Sequence, residues 1–79
     1  FSSLRQLPID YLKIDGEFVA GVARNPIDRE IVRAIVLLAR AVGRRTIAEL
    51  VPDEETLELL GELGVDLAQG YFTGPPRAV

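Results

Sequence analysis

Four residues of this 79-residue chain carry side chains suited to chemistry, at spacings that could gather them. Lys13 and Asp15 stand in "DYLKID", Glu49 in "TIAELV" and Gln69 in "DLAQGYF". Lys13 is the single lysine, and the other eight basic residues are arginine. An ammonium is a compact point charge that can orient a water or neutralise charge developing on a phosphate. Carboxylates are hard oxygen ligands for Mg2+, Mn2+ or Ca2+. A lysine, two carboxylates and an amide on one rim could position a metal-bound water beside a phosphate. The plainer account is that polar residues end strands because the chain is leaving the core. It serves for any one of the four, and least well for Glu49, which stands between apolar "TIA" and "LV".

That chemistry depends on the elements that present it. "FSSLRQLP" reads as the end of a helix, with Leu4 and Leu7 three apart and Pro8 as the stop. "IDYLKI" is a strand with Ile9, Tyr11 and Lys13 on one face and Leu12 and Ile14 on the other. "DGEFVAGVAR" reads as a loop or short helical turn. A helix follows, with Asn25 as N-cap, Pro26 at its first position, Asp28 and Glu30 in its first turn and Gly43 as its stop. Ile27, Ile31, Ile35 and Leu38 mark its inward stripe, widened by Val32, Val36 and Ala39. "RRTIAEL" is a second strand, with Ile47 and Glu49 on one face. "PDEETLELLGELG" is a helix capped by Asp53 and ended by Gly64, with Leu57, Leu60 and Leu63 inward. "VDLAQGYF" is a third strand reaching Gln69, and the tail "TGPPRAV" reads as irregular.

Strands alternating with single amphipathic helices predict right-handed βαβ units and a parallel sheet. The short connections suit a barrel or a doubly wound sheet. In both, ligands bind at the carboxyl ends of the strands, where Lys13, Asp15, Glu49 and Gln69 fall. Neighbouring strands lie about 4.8 Å apart, close enough for these groups to share a site. Neither a GxGxxG fingerprint nor a P-loop is present to cradle a phosphate.

Composition narrows the function classes. The chain is 48% hydrophobic and 27% charged, with a net charge of −3. Its arginines are scattered, several beside acids, so no basic stripe addresses a nucleic-acid polymer. The longest apolar stretch, "AIVLLARAV", is too short for a membrane span and is broken by Arg40. No signal peptide is visible, and a cytoplasmic location is expected. Without cysteine or histidine there is no disulfide and no zinc cluster. At this length only about 60–65% of the unfolded chain's surface can be buried. Three helices cannot cover both faces of a three-stranded parallel sheet, and its outer strands carry unpaired backbone groups. A larger α/β structure is therefore expected around these residues, as the start at Phe1 without methionine also suggests. Exposed sheet edges predict a homo-oligomer.

Three stretches, "FSSLRQLPIDYLKID", "IVRAIVLLARAVGRRTIAELV" and "ELLGELGVDLAQGYFTGPP", together resemble the C-terminal part of an EAL domain. That family hydrolyses the bacterial second messenger cyclic di-GMP. The resemblance covers essentially the whole chain, residues 1–79, as one partial EAL domain. It implies the last third of a (β/α)8 TIM-type barrel of about 250 residues, with three parallel strands alternating with helices. It also implies Mg2+ or Mn2+ in the intact domain, with none expected on the 79 residues alone, which are expected to be inactive. By the family pattern Lys13 and Glu49 are catalytic, Glu49 a metal ligand, and Gln69 and Asp15 contact the nucleotide. The parent is then a metal-dependent phosphodiesterase that converts cyclic di-GMP to linear pGpG. Two departures favour the alternative, an inactive domain that binds the nucleotide or a protein partner as a regulator. Where the family has "EGVE" this chain has "ELVP", so Leu50 replaces a glycine and Pro52 a glutamate. The ending after "QGY" also differs, with Pro75 where an arginine is common.

Overall fold

The structure is a computed structural model that describes residues 11–70 and 74–79. The helix expected over "FSSLRQLP" lies outside the described residues. Strand β1 spans Tyr11–Ile14, helix α1 Gly16–Gly21, helix α2 Pro26–Ala41, strand β2 Arg45–Ala48, helix α3 Glu54–Leu63, strand β3 Leu67–Gly70 and strand β4 Gly74–Ala78. The sheet order is β1-β2-β3-β4. β1 pairs with β2 and β2 with β3, both parallel, as the alternating pattern predicts.

Two expectations are refined at the level of single elements. Of the loop or short helical turn expected over "DGEFVAGVAR", the helical alternative holds: "GEFVAG" is a six-residue helix, α1. The tail is not irregular: Gly74–Ala78 forms β4, antiparallel to β3, pairing Leu67 with Ala78 and Ala68 with Arg77. Pro75 and Pro76 have no backbone N–H to donate, and an edge strand is where a sheet tolerates that. The sheet thus carries a fourth, antiparallel strand beyond the three parallel ones.

Helix α2 begins as its sequence dictates. The Asn25 side chain accepts from the Ile27 N–H at 2.9 Å, Pro26 sits in the first turn, and Gly43, past the end, takes φ +73°. Its buried stripe differs from the expected one. Val32, Val36 and Ala39 are buried, whereas Ile27 is 69% and Leu38 58% exposed. At about 100° per residue, each step of four back from Ile35 through Ile31 to Ile27 rotates about 40° further from the Val32–Val36 line. The isoleucine row therefore winds off the sheet, and the smaller residues let the helix axis approach it. Helix α3 follows its pattern more closely: Leu60 and Leu63 are buried, Leu57 is half-buried, and Gly64 caps the helix at φ +95°. The core lies between sheet and helices, built on Ile14, Ala48 and Ala68 of the sheet and Val32, Val36 and Leu60 of the helices.

Asp53 caps α3 by accepting the Thr56 N–H at 2.8 Å. Hydrogen bonding from the Thr56 side chain and backbone holds its carboxyl below the usual carboxylate range, with the Arg24 charge adding to this. A lowered folded-state pKa contributes stability above the unfolded value, lost as pH falls through the folded one. Asn can cap without titrating, so the stability advantage of wild type over Asp53→Asn should shrink as pH drops below about 4. Thermal melts of the two proteins across pH 2–7 check this, and a pH-independent difference would refute it.

The amino-terminal end of the sheet is tied by a polar box. Thr46, 1% exposed, donates its N–H to Asp66 Oδ2 at 2.9 Å and its hydroxyl to the same oxygen at 3.3 Å. The Asp66 N–H donates back to Thr46 Oγ1 at 3.2 Å. Asp66→Ala strands two buried donors and should cost about 1–3 kcal/mol, with Asp66→Asn costing less because an amide oxygen still accepts. Urea denaturation measures both; equal losses would show that the acceptor is not what matters.

Candidate functional site

The register fixes where the four polar residues stand. Lys13 pairs with Ile47, and Ile47 with Leu67, so these three lie side by side across β1, β2 and β3. In a parallel sheet, paired residues point to the same face and the next residue along points to the other. Ile14, Ala48 and Ala68 make that second row, and each is fully buried against the helices. Lys13 therefore projects from the face opposite α2 and α3, and it is exposed.

Two residues beyond Ile47 and Leu67, alternation brings Glu49 and Gln69 to the face that Lys13 occupies. Glu49 lies one residue past β2, yet its N–H donates to the Ile14 carbonyl at 3.1 Å, so the ladder continues to this position. Glu49 and Gln69 are half-buried. Asp15 follows β1 directly; its carbonyl accepts from Phe18 and Val19 N–H at 3.0 and 3.1 Å, while its side chain makes no cap hydrogen bond. Its carboxylate is exposed at the same end of the sheet. The carboxyl edge thus brings all four groups to one end, with Lys13, Glu49 and Gln69 on one face. Among the described residues, no ion pair joins Lys13 to Glu49 or Asp15.

Two glycines shape this edge through close contacts that the sequence alone does not show. The loop after β2 crosses to β3, where the Val51 N–H donates to the Gln69 carbonyl at 3.1 Å. Gly70 takes φ +137°, and a Cβ there would meet the Leu50 Cα and lie 2.6 Å from the Val51 nitrogen. A Cβ on Gly16 would lie 2.9 Å from Leu50 Cδ1. Leu50 itself takes φ +57°, the left-handed region that glycine enters freely and leucine does not. The signal for this position was "ELVP" itself, a leucine where glycine is usual in the resembled motif.

What this edge offers a metal ion is limited. Among the described residues no group of three or more acidic, histidine or cysteine side chains gathers. A Mg2+ shell takes six oxygens.

No helix among the described residues is long and apolar enough to cross a membrane.

The EAL domain profile matches residues 1–76. Cyclic di-GMP phosphodiesterase PdeB of Shewanella oneidensis is 43% identical over 77 residues, covering 98% of this chain and 9% of that protein. The EAL domain of Mycobacterium smegmatis DcpA is 43% identical and superimposes with a TM-score of 0.77, over 98% of this chain and 34% of that one. The PaMucR phosphodiesterase, solved as a c-di-GMP complex, is 38% identical with a TM-score of 0.78, over 96% of this chain and 31% of that one. The chain thus spans about a tenth of PdeB and a third of these solved chains. Its sheet and helices are a segment of the (β/α)8 architecture of these domains, and their carboxyl edge is where that architecture places ligands. Residues 1–76 make this chain a member of the EAL domain family.

Proposed function

We propose that the protein carrying this chain is a metal-dependent phosphodiesterase that hydrolyses cyclic di-GMP to linear pGpG, and that these 79 residues supply part of its site. What supports this reading is the strand register, which by alternation puts Lys13, Glu49 and Gln69 on one face toward one end of the sheet. An exposed ammonium there suits a phosphodiester anion and the water that attacks it. Gln69 and Asp15 suit the nucleotide, as an amide that donates and accepts and a carboxylate that accepts. Glu49 is assigned one ligand position on Mg2+ or Mn2+, and the rest of the shell comes from residues beyond those described. The 79 residues alone then lack the means for turnover.

Incubating the intact protein with cyclic di-GMP and Mg2+ tests this by chromatography of products. Appearance of pGpG supports it. The regulator reading is favoured by Leu50 and Pro52, which remove a glycine and a carboxylate from the loop beside Glu49. Nucleotide bound in calorimetry with no product formed would establish that reading in place of the first.

The isolated 79-residue chain should self-associate, because among the described residues β1 is an end strand of the sheet and the outer face of α2 leaves Ile27, Leu37 and Leu38 exposed. Sedimentation velocity checks this, and a stable monomer would count against it. The intact protein is expected in the cytoplasm, where fractionation can locate it.

A further inference from the structure

We propose that Leu50 is a positioning residue: its side chain, packed onto Gly16, latches the loop after β2 to the start of α1 and so fixes Glu49 relative to Lys13. Leu50 holds φ +57° although it is not glycine. Such strain persists only where the surroundings over-determine it, and it collects at functional sites. Here the surroundings are visible. On one side, the Glu49 N–H is bonded to the Ile14 carbonyl on β1. On the other, the Val51 N–H is bonded to the Gln69 carbonyl on β3, and Val51 is fully buried. The backbone of Leu50 bears on Gly70, and its Cβ, Cγ and Cδ1 lie over the one face of Gly16 that a side chain would fill.

Leu50 is therefore the point at which the chain turns from one neighbouring strand to the other, one residue after the Glu49 carboxylate. The residue is still 47% exposed, so burial accounts for only part of its retention in a strained conformation. The contact that distinguishes it is Gly16, which follows Asp15 and lies three residues from Lys13. The latch thus spans the two strand ends that carry the ammonium and the carboxylate. Without it, the Glu49 peptide keeps its bond to Ile14 but loses the clamp that holds the next residue in place.

The test uses the intact protein and two variants. Asn tolerates the left-handed region, so Leu50→Asn removes the latch without adding the backbone freedom of glycine. Leu50→Met keeps an apolar side chain of similar volume to cover Gly16. In Leu50→Asn, amide exchange at Glu49 and Val51 should accelerate about tenfold, a local opening, while the thermal midpoint stays within about 4 °C of wild type. Leu50→Met should exchange like wild type. Equal exchange in wild type and Leu50→Asn overturns the latch, as does acceleration only in step with a fall in the thermal midpoint. The consequence for the nucleotide rests on the function proposed above, and cyclic di-GMP is the probe. Its affinity should fall about tenfold in Leu50→Asn. Unchanged affinity, with exchange accelerated, overturns the positioning role. A wild type that does not bind cyclic di-GMP refutes the proposed function, and the exchange measurements still decide the latch.

Discussion

Replacing Lys13 by alanine in the intact protein should lower kcat for cyclic di-GMP by about 100–1000-fold, the usual consequence of removing one preorganised donor from a site of developing charge. The expectation rests on position and on the uniqueness of the group. Lys13 is the only ammonium side chain in the chain, and alternation puts it on the face and at the end where Glu49 and Gln69 also stand. A phosphodiester gains negative charge on its equatorial oxygens as water attacks, so on the function proposed above the ammonium should do more in the transition state than in the ground state. KM should therefore move much less than kcat. Stability should barely change, because Lys13 is exposed and exposed substitutions usually stay within about 0.5 kcal/mol. Lys13→Arg should not restore the rate: a guanidinium is broader, planar and weakly hydrated, and it displaces what a point charge would orient. Steady-state kinetics of the three proteins decide the matter. Equal kcat in wild type and Lys13→Ala would remove Lys13 from the chemistry and leave it a solvated strand end.

The carboxyl-edge geometry is legible in the sequence because it depends on two short-range rules. Strand alternation fixes which residues share a face, and the βαβ rule fixes which ends of the strands lie together. "DYLKID", "TIAEL" and "DLAQG" each satisfy both, so Lys13, Glu49 and Gln69 could be placed from letters alone. The burial of α2 was less legible. An apolar row at i, i+4, i+8 looks like a buried face, yet such a row precesses, and the flanking Val32–Val36 line won because valine and alanine permit a closer approach. The tail misled for a different reason. Two prolines argue against a strand when its partners are unknown, and they become compatible with one once it lies at an edge beside β3. The strained loop was the least legible part. "ELVP" shows a leucine, and only the glycine usual at that place in the resembled motif hints that the backbone beneath it turns left-handed. The reason for the turn, the close crossing of β3 at Gly70, lies twenty residues away in sequence.

This crossing carries the largest expected loss of stability. Gly70→Ala should destabilise the domain by about 3–5 kcal/mol, the sum of forcing a side chain into a glycine-only backbone region and overpacking a site with no slack. At φ +137° an L-residue is strained whatever space surrounds it. Here there is no space either: the added methyl would meet the Leu50 Cα and lie 2.6 and 2.7 Å from the Val51 and Leu50 nitrogens. These are main-chain atoms, so no rotamer change relieves the contact. The loop after β2 must move, and the two anchors that resist are the Val51 N–H bond to Gln69 and the full burial of Val51. Such a loss is a large fraction of the 5–15 kcal/mol typical of a folded domain. Where Gly70→Ala remains folded, the displaced loop takes Glu49 with it, so activity should fall further than the folded fraction does. Gly43→Ala is the control, since it also replaces a positive-φ glycine, at φ +73°, but meets no atom within 4 Å and lies before the amino end of β2, not at the carboxyl edge. It should cost only about 1 kcal/mol, the left-handed penalty alone. Equal urea midpoints for the two variants would show that the crossing at Gly70 is not closely packed. The loop carrying Glu49 would then owe its position to something other than β3.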